Sequence, residues 1–473
     1  MMDFSESPLK VLADDIADAK TNGGLYKWEV KFKLKDTSPV DLTDEKLVYT
    51  DEEKDGFFEP LSLMNLDIVS NYLDRNSDQF NFVLVVSPGM WVHIILPSRD
   101  HCMIHLTRTK LAALGGVEDD TQNVQTWVLK PIFNVPEGAN LEHDVTAMIP
   151  RKELDLKAPF EITFDAIEPA AEQMRALEVD GNWREASPMQ VLRAVVVKRC
   201  NDIEVDGKPG VTGFVFEEGG NKDIREHVLI PQGTIKLPKL TEHLQEKCGG
   251  LYSTGASSYL QDGIWTTFSP FNTEDFAKAD ESITLVVVPP QVYGDIDSTY
   301  KVEDKRVTAI VASNFKVNDN QAITFLNEGD GVRFASATKL SESFAKTKDN
   351  KAIAKRSTNN SESRIKDETN EHHYTAMASK RITDNSLAEY SRLAARRGQT
   401  LIAEWRKADH TLIKPGMRVK VMYQDHEEVR ELFGRVINKQ ASIQKLGYGM
   451  IVTDHLSTCT LHVFFNPPNT EPL

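Results

Sequence analysis

His101, Met103 and His105 alternate along the chain and so face one side of a strand, and His93 falls on what reads as the neighbouring strand. Imidazole and thioether groups in that pattern are the best metal-like constellation in the sequence. No carboxylate stands near them and no fixed Cys spacing supports them, so a partly exposed sheet face outweighs a metal site. His372-His373 lies in polar sequence and reads as a pair of solvated loop histidines. Gly255-Ala256-Ser257-Ser258 is superficially like a nucleophile elbow, but it lacks the second glycine and the buried strand that would precede one. An ordinary hairpin turn is the stronger reading.

Asp51-Glu52-Glu53 and Glu118-Asp119-Asp120 lack the alternating ligands and the glycine of a calcium loop, and they read as solvated turns. Glycoside hydrolysis needs two carboxylates across a cleft, an arrangement that spacing in one sequence does not display. There is no G-x-x-x-x-G-K-[ST] loop, no G-x-G-x-x-G after a strand and no H-E-x-x-H helix. The expectation is therefore no catalytic residue, no cofactor-binding residue, no metal ligand and no cofactor.

The 473 residues suffice for about three domains, each with its own core. Lys+Arg number 55 against Asp+Glu 71, a formal charge of -16 with a pI near 5.3, which argues against a nucleic-acid groove as the main business of the molecule. Cys102, Cys200, Cys248 and Cys459 are far apart with no C-x-x-C pair, which predicts neither a zinc ribbon nor a redox site and suits folding in a reducing compartment. Met1 to Lys20 is acidic and amphipathic, with Leu9, Leu12 and Ile16 at helical spacing, and lacks the marks of a secretory signal. The longest apolar runs, Phe82 to Val86 and Leu285 to Pro290, fall far below the roughly 20 residues of a membrane span.

Trp28, Val30, Phe32 and Leu34 alternate with charged residues, the mark of a half-buried strand. Phe80 to Val86, Met90 to Leu96 and Cys102 to Thr107 read as a meander, extended by Thr126 to Phe133 and Phe160 to Phe164. Glu168 to Ala186 reads as helix, and Ser187-Pro188 opens another over Met189 to Cys200. Val211 to Phe216 and Glu226 to Ile230 are strand-like, Leu240 to Lys247 is a helix closed by Gly249-Gly250, and Tyr259 to Phe271 is a hairpin with aromatic anchors.

Val307 to Val311, Ala322 to Leu326 and Val332 to Ala335 open a second β unit, interrupted by the polar stretch 341–370. It resumes with a helix around Asn385 to Arg397, a strand Thr400 to Trp405, and a Pro415-Gly416 turn into Val419, Val421 and Tyr423 on one strand face. Leu432 to Ile443 and Gly449 to Phe465 complete it. The expected divisions are 1–24, an N-terminal helix; 25–187, a first β domain; 188–299, an α+β module; and 300–473, a second β domain with the polar loop 341–370.

This order, with Leu412-Ile413-Lys414-Pro415-Gly416-Met417-Arg418-Val419 and the Gly-Arg-Val-Ile strand at Gly434 to Ile437, resembles the central baseplate hub proteins of contractile-tailed bacteriophages. The helix, Gly pair and Tyr/Trp hairpin of Leu240 to Phe271 are similar to the module that those hubs insert between two tube-like barrels. The resemblance implies an α+β, β-rich fold with two tube-like antiparallel β-barrel domains around an inserted α+β module. It implies a homotrimer that presents six barrel positions and adapts a hexameric tail tube to a trimeric spike. Implied partners are the tail spike protein, tail tube or tube-initiator proteins and other baseplate proteins, in a virion tail baseplate assembled in the host cytoplasm. DNA would pass through the channel without specific binding, and the family offers no catalytic residues to carry over.

Two other readings stand beside it. The hub-like part of a type VI or extracellular injection-system spike would usually continue into an OB domain and β-helix, which are not expected after Leu473. A peptidoglycan-degrading tail enzyme is the alternative of a different class.

Overall fold

The structure, a computed structural model, describes residues 7–17, 25–34, 56–110, 124–133, 159–274, 276–289, 299–312, 316–320, 353–356, 363–366, 373–374, 387–388, 391, 394–395, 398–425, 428–445 and 454–466. Period-2 patterning forms strands β1 (Leu25–Leu34), β2 (Ser62–Asn71), β3 (Gln79–Val86), β4 (Cys102–Lys110), β5 (Val124–Ile132) and β6 (Phe160–Ile167). The α+β module contributes β7 (Glu178–Ala186), β8 (Arg225–Lys236), β9 (Ser257–Gln261) and β10 (Ile264–Phe268), and after it come β11 (Ser282–Val288) and β12 (Arg306–Ala312). The last four long strands are β13 (Gln399–Arg406), β14 (Arg418–Asp425), β15 (Glu428–Lys445) and β16 (Asp454–Phe465). Among the described residues four helices of eight or more residues accompany them: α1 (Pro8–Ala17), α2 (Pro169–Ala176), α3 (Pro188–Cys200) and α4 (Leu240–Lys247). The fold is α+β and β-rich.

Eight strands close a ring in which every pairing is antiparallel: β15 to β2, β3, β6, β5, β4, β1, β16 and back to β15. The late strands β15 and β16 thus complete a barrel whose other six strands all precede Glu168 and lie within 25–187. The inward faces fill its interior, so it is a packed core rather than a pore. Phe82 stacks on Phe164 with centroids 5.3 Å apart, and Phe32 meets the same ring at 6.1 Å.

Met90 to Leu96, expected as a strand, is helical instead. Ser87 caps a turn that begins at Pro88, and Leu96 N–H donates to Trp91 O at 2.9 Å. A short apolar run does not distinguish strand from helix by periodicity alone; here Ser-Pro supplies a cap and first helical residue, and Trp91 and Ile95 reach the core four residues apart.

The other halves of β15 and β16 build the second unit. β15 leaves β14 at Val436, bulges at Ile437, and pairs with β2 from Asn438 onward. β16 pairs with β1 through Leu456 and with β13 from Thr458. Beyond β14 lie β11, β12 and the short strand Tyr300–Glu303, with β11 parallel to both β12 and β14. The antiparallel pattern expected of both units therefore describes the first, while the second is mixed, because crossovers bring β12 and β14 back in the direction of β11. The sheet curls so that β12 and β13 approach to within 8 Å between Cα atoms, around a core that includes Leu285, Trp405, Val421 and Leu461. On its outer side α1 lays Leu9, Ala13 and Ile16 on Val286, Val288 and Ile310.

Gly434 lies where β15 crosses β16, and a Cβ there would stand 2.2 Å from the Phe464 carbonyl oxygen. Backbone cannot move aside as a flexible side chain can, so Gly434→Ala is expected to cost about 1–3 kcal/mol. Gly89→Ala, with nothing within 4 Å of the added carbon, should stay within about 0.5 kcal/mol of the parent. Urea midpoints of the two variants check the contrast; equal midpoints would contradict it.

The α+β module packs α2, α3 and α4 against the β7–β8 ribbon and the small sheet of Gly213–Phe216, β10 and β9. Glu168 to Ala186 is helical only to Ala176. Asp180-Gly181-Asn182 are poor helix formers, and β8 offers a ladder partner, so β7 follows. α2 and β7, ahead of residue 188, thus belong to the module's core. Asp262 and Gly263, with φ of 51° and 72°, form the tight turn of the β9–β10 hairpin. Gly416, with φ of 66°, makes the expected turn before β14.

Within 341–370 the strands Ile353–Arg356 and Ser363–Lys366 pair antiparallel, joined by His373–Tyr374. The strands expected at Ala322 to Leu326 and Val332 to Ala335, and most of the helix expected around Asn385 to Arg397, lie outside the described residues. No helix among the described residues is long and apolar enough to cross a membrane.

Candidate functional site: the polar seam between the β units

The residues singled out by type and spacing do not converge. Met103 and His105 share the outer face of β4, but His101 sits in an exposed turn ahead of it and His93 belongs to the helical turn, not to a neighbouring strand. The constellation is broken because the assumed strand is helix. His105 meets the Phe57 ring edge-on at 5.3 Å, and burial together with the Lys33 charge lowers its proton affinity. His373 lies on its short strand, and His372, Asp51-Glu52-Glu53 and Glu118-Asp119-Asp120 lie outside the described residues. The hydroxyls at 257 and 258 are engaged in structure: Ser257 Oγ donates to Tyr72 O, and Ser258 Oγ bonds Thr241 at 2.6 Å and Thr267 at 2.8 Å. The four cysteines are free.

Charged side chains gather instead where the first barrel, the second unit and the module meet. Arg108, pointing inward from β4, holds Asp409 with Nη1–Oδ1 at 2.6 Å and Nη2–Oδ2 at 3.4 Å. Tyr26 donates to the same Oδ2 at 3.0 Å and lies under the guanidinium at 4.3 Å. Tyr300, from the second unit, bonds the Tyr26 hydroxyl at 3.1 Å. Burial alone would raise the Asp409 carboxyl, but the Arg108 charge and hydrogen bonds hold it well below the usual carboxylate range. The next residue, His410, stacks on Trp28 at 5.8 Å; burial, then the Lys439 and Arg108 charges, keep its imidazole neutral far below its ordinary range.

Lys439, 1% exposed just past the bulge of β15, donates to His410 O at 3.3 Å and Ile413 O at 3.4 Å. Its charge also reaches Asp78, at the start of β3, whose carboxylate accepts from Tyr259 of the module at 2.8 Å. Farther along, Arg435 of β15, 2% exposed, forms a two-pronged pair with Glu217 of the module, one contact at 2.9 Å. Ser269 N–H donates to the same carboxylate at 2.7 Å. The Arg108–Asp409 and Arg435–Glu217 pairs each match opposite charges across a boundary between units, which fixes their mutual orientation. The pairs are buried and hold no open cleft around a nucleophile and its base.

Glu168, between β6 and α2, accepts from Asp262 N–H at 3.3 Å, and burial, then the charges of Asp78 and Asp262, push its carboxyl up to about 8. A folded value raised above an unfolded one near 4.5 gives stability that is fully present below 4.5 and is lost as pH rises through about 8. Glu168→Gln removes that loss. Its urea midpoint relative to the parent should improve from pH 5 to pH 8.5, by at most about 1.4 kcal/mol per pH unit; parallel profiles would contradict the assignment.

Sequence reading missed Arg108, Asp409, Glu217, Arg435 and Lys439. The available signal was position: Ile104, Leu106 and Arg108 share one strand face, so the guanidinium had to point inward with the apolar side chains.

No known protein family matches this chain, and no curated protein does. Solved structures are similar to it at low identity. One is an E. coli component of the type VI secretion system, described as structurally similar to tail proteins of bacteriophage T4: 8% identity, TM-score 0.39, covering 87% of this chain and 76% of that one. Another is a 43 kDa tail protein of a Shewanella oneidensis prophage, at 10% identity and TM-score 0.38, covering 92% and 98%. A third is a PdpA–VgrG complex, at 8% identity and TM-score 0.36, covering 96% and 67%.

Proposed function

We propose that this chain is a structural, non-catalytic component of a phage-tail-like assembly, namely a baseplate hub. In this reading three copies surround an axis and join a hexameric tail tube to a central spike, in the tail baseplate of a virion. The observation that carries the reading is the hairpin of β15 and β16, whose strands each belong to both β units. A subunit with two curled sheets so fused presents two barrel positions at a fixed angle, and three such subunits present six.

The first barrel's interior is packed, so a channel would run between subunits rather than through that barrel. The charge of -16 suits a wall past which DNA slides without being held. The partners of this reading are two further copies, a spike, tube or tube-initiator proteins and neighbouring baseplate proteins. Light scattering on the purified protein tests it, with a mass of three times 53.2 kDa expected. A monomer across the accessible concentration range, together with hydrolysis of purified cell wall, would replace it with a peptidoglycan-degrading enzyme.

A further inference from the structure

At the foot of the first barrel, where the chain enters β3 and leaves β6, a cavity of about 210 Å³ is lined by Arg75, Ser77, Gln79, Ile132, Asp165, Ile167 and Arg175. Its side chains come from five places: the turn before β3, the start of β3, the ends of β5 and β6, and α2. Two guanidiniums and one carboxylate share it, yet among the described residues neither arginine forms an ion pair with Asp165. Arg75 Nη1 donates to Gln79 Oε1, which leaves most of its fork unused, and Arg175 has no side-chain hydrogen bond or ion pair among the described residues. Ser77 also lines this space and is 1% exposed, and its hydroxyl has no hydrogen-bond partner among the described residues.

A buried hydroxyl without a partner costs about 1–3 kcal/mol, so such groups are rare unless something fills the site. Two guanidinium forks facing one cavity match the planar, multidentate acceptor set of an oxyanion, and the cationic excess over Asp165 sets the sign of what enters. Ile132 and Ile167 give the cavity an apolar side. We propose that this cavity is a binding site for a small oxyanion, a phosphate or carboxylate group held between Arg75 and Arg175 with Ser77 donating to it. The site is independent of the hub reading, since it rests on side chains within one subunit.

The test is calorimetric titration of the whole chain with inorganic phosphate and, separately, with acetate, at ionic strength held constant with chloride. Saturable binding of one mole per chain is expected for at least one of them, and which one binds tells a phosphate from a carboxylate ligand. Arg175→Gln should weaken that binding about tenfold or more, and Ser77→Ala by less. Both changes remove side-chain groups without a partner among the described residues, so circular dichroism of both should match the parent. No saturable heat with either anion, or unchanged affinity in Arg175→Gln, would overturn the site.

Discussion

Asp409→Ala is expected to lower the unfolding free energy by about 3–5 kcal/mol, because it leaves Arg108 buried with an unmatched charge. The carboxylate also accepts from Tyr26 and anchors the turn at Thr411, so the loss reaches both β units through Tyr300. Replacing both partners, as in Arg108→Met with Asp409→Leu, should recover part of the loss, since no charge is then stranded in the interior. Urea unfolding followed by tryptophan fluorescence suits the measurement, because Trp28 stacks on the adjacent His410. A double variant as unstable as the sum of its singles would show that the two groups are not coupled.

The pair also has an acid limit. The folded carboxyl lies below its unfolded value near 3.8, so its contribution is fully present above that pH and is lost as pH falls through the folded value.

Phe164→Ala is expected to cost about 3–5 kcal/mol. Its ring is the hub of the aromatic packing inside the first barrel, touching Phe82, Phe32 and Phe133, the last at 5.3 Å. Strands that close into a ring cannot collapse onto a missing side chain without breaking ladders, so the void persists. Phe433→Ala, at a position 40% exposed, should cost far less. A loss below about 1 kcal/mol for Phe164→Ala would mean that the barrel interior is not the packed core described.

Much of the fold was legible in the residues themselves. Alternation in Trp28 to Leu34, Pro415-Gly416 ahead of Val419, and Ser187-Pro188 ahead of α3 each encode a local choice, and each element stands where the pattern puts it. Partner choice was less legible. Alternation along β15 says which side chains face inward, but not that its first half faces one unit and its second half another; only the bulge at Ile437 makes that change. Likewise Leu9, Ala13 and Ile16 announce an apolar helix face without saying that it covers β11 and β12. The seam was hidden for a related reason. Single charges within strands read as solvent-facing until the units come together; Arg108 shares a face with Ile104 and Leu106, but only the assembled units show that Arg435 and Lys439 are buried.

The central claim is that fused β units from several copies surround a common channel. Electron cryomicroscopy of the purified protein, at a concentration where light scattering gives a single species, tests it most directly. Three-fold rings with six barrel-shaped densities around an open centre are the expected result. A monomer, a two-fold dimer, or three-fold particles in which the two β units of one subunit do not occupy equivalent positions around the axis would contradict it.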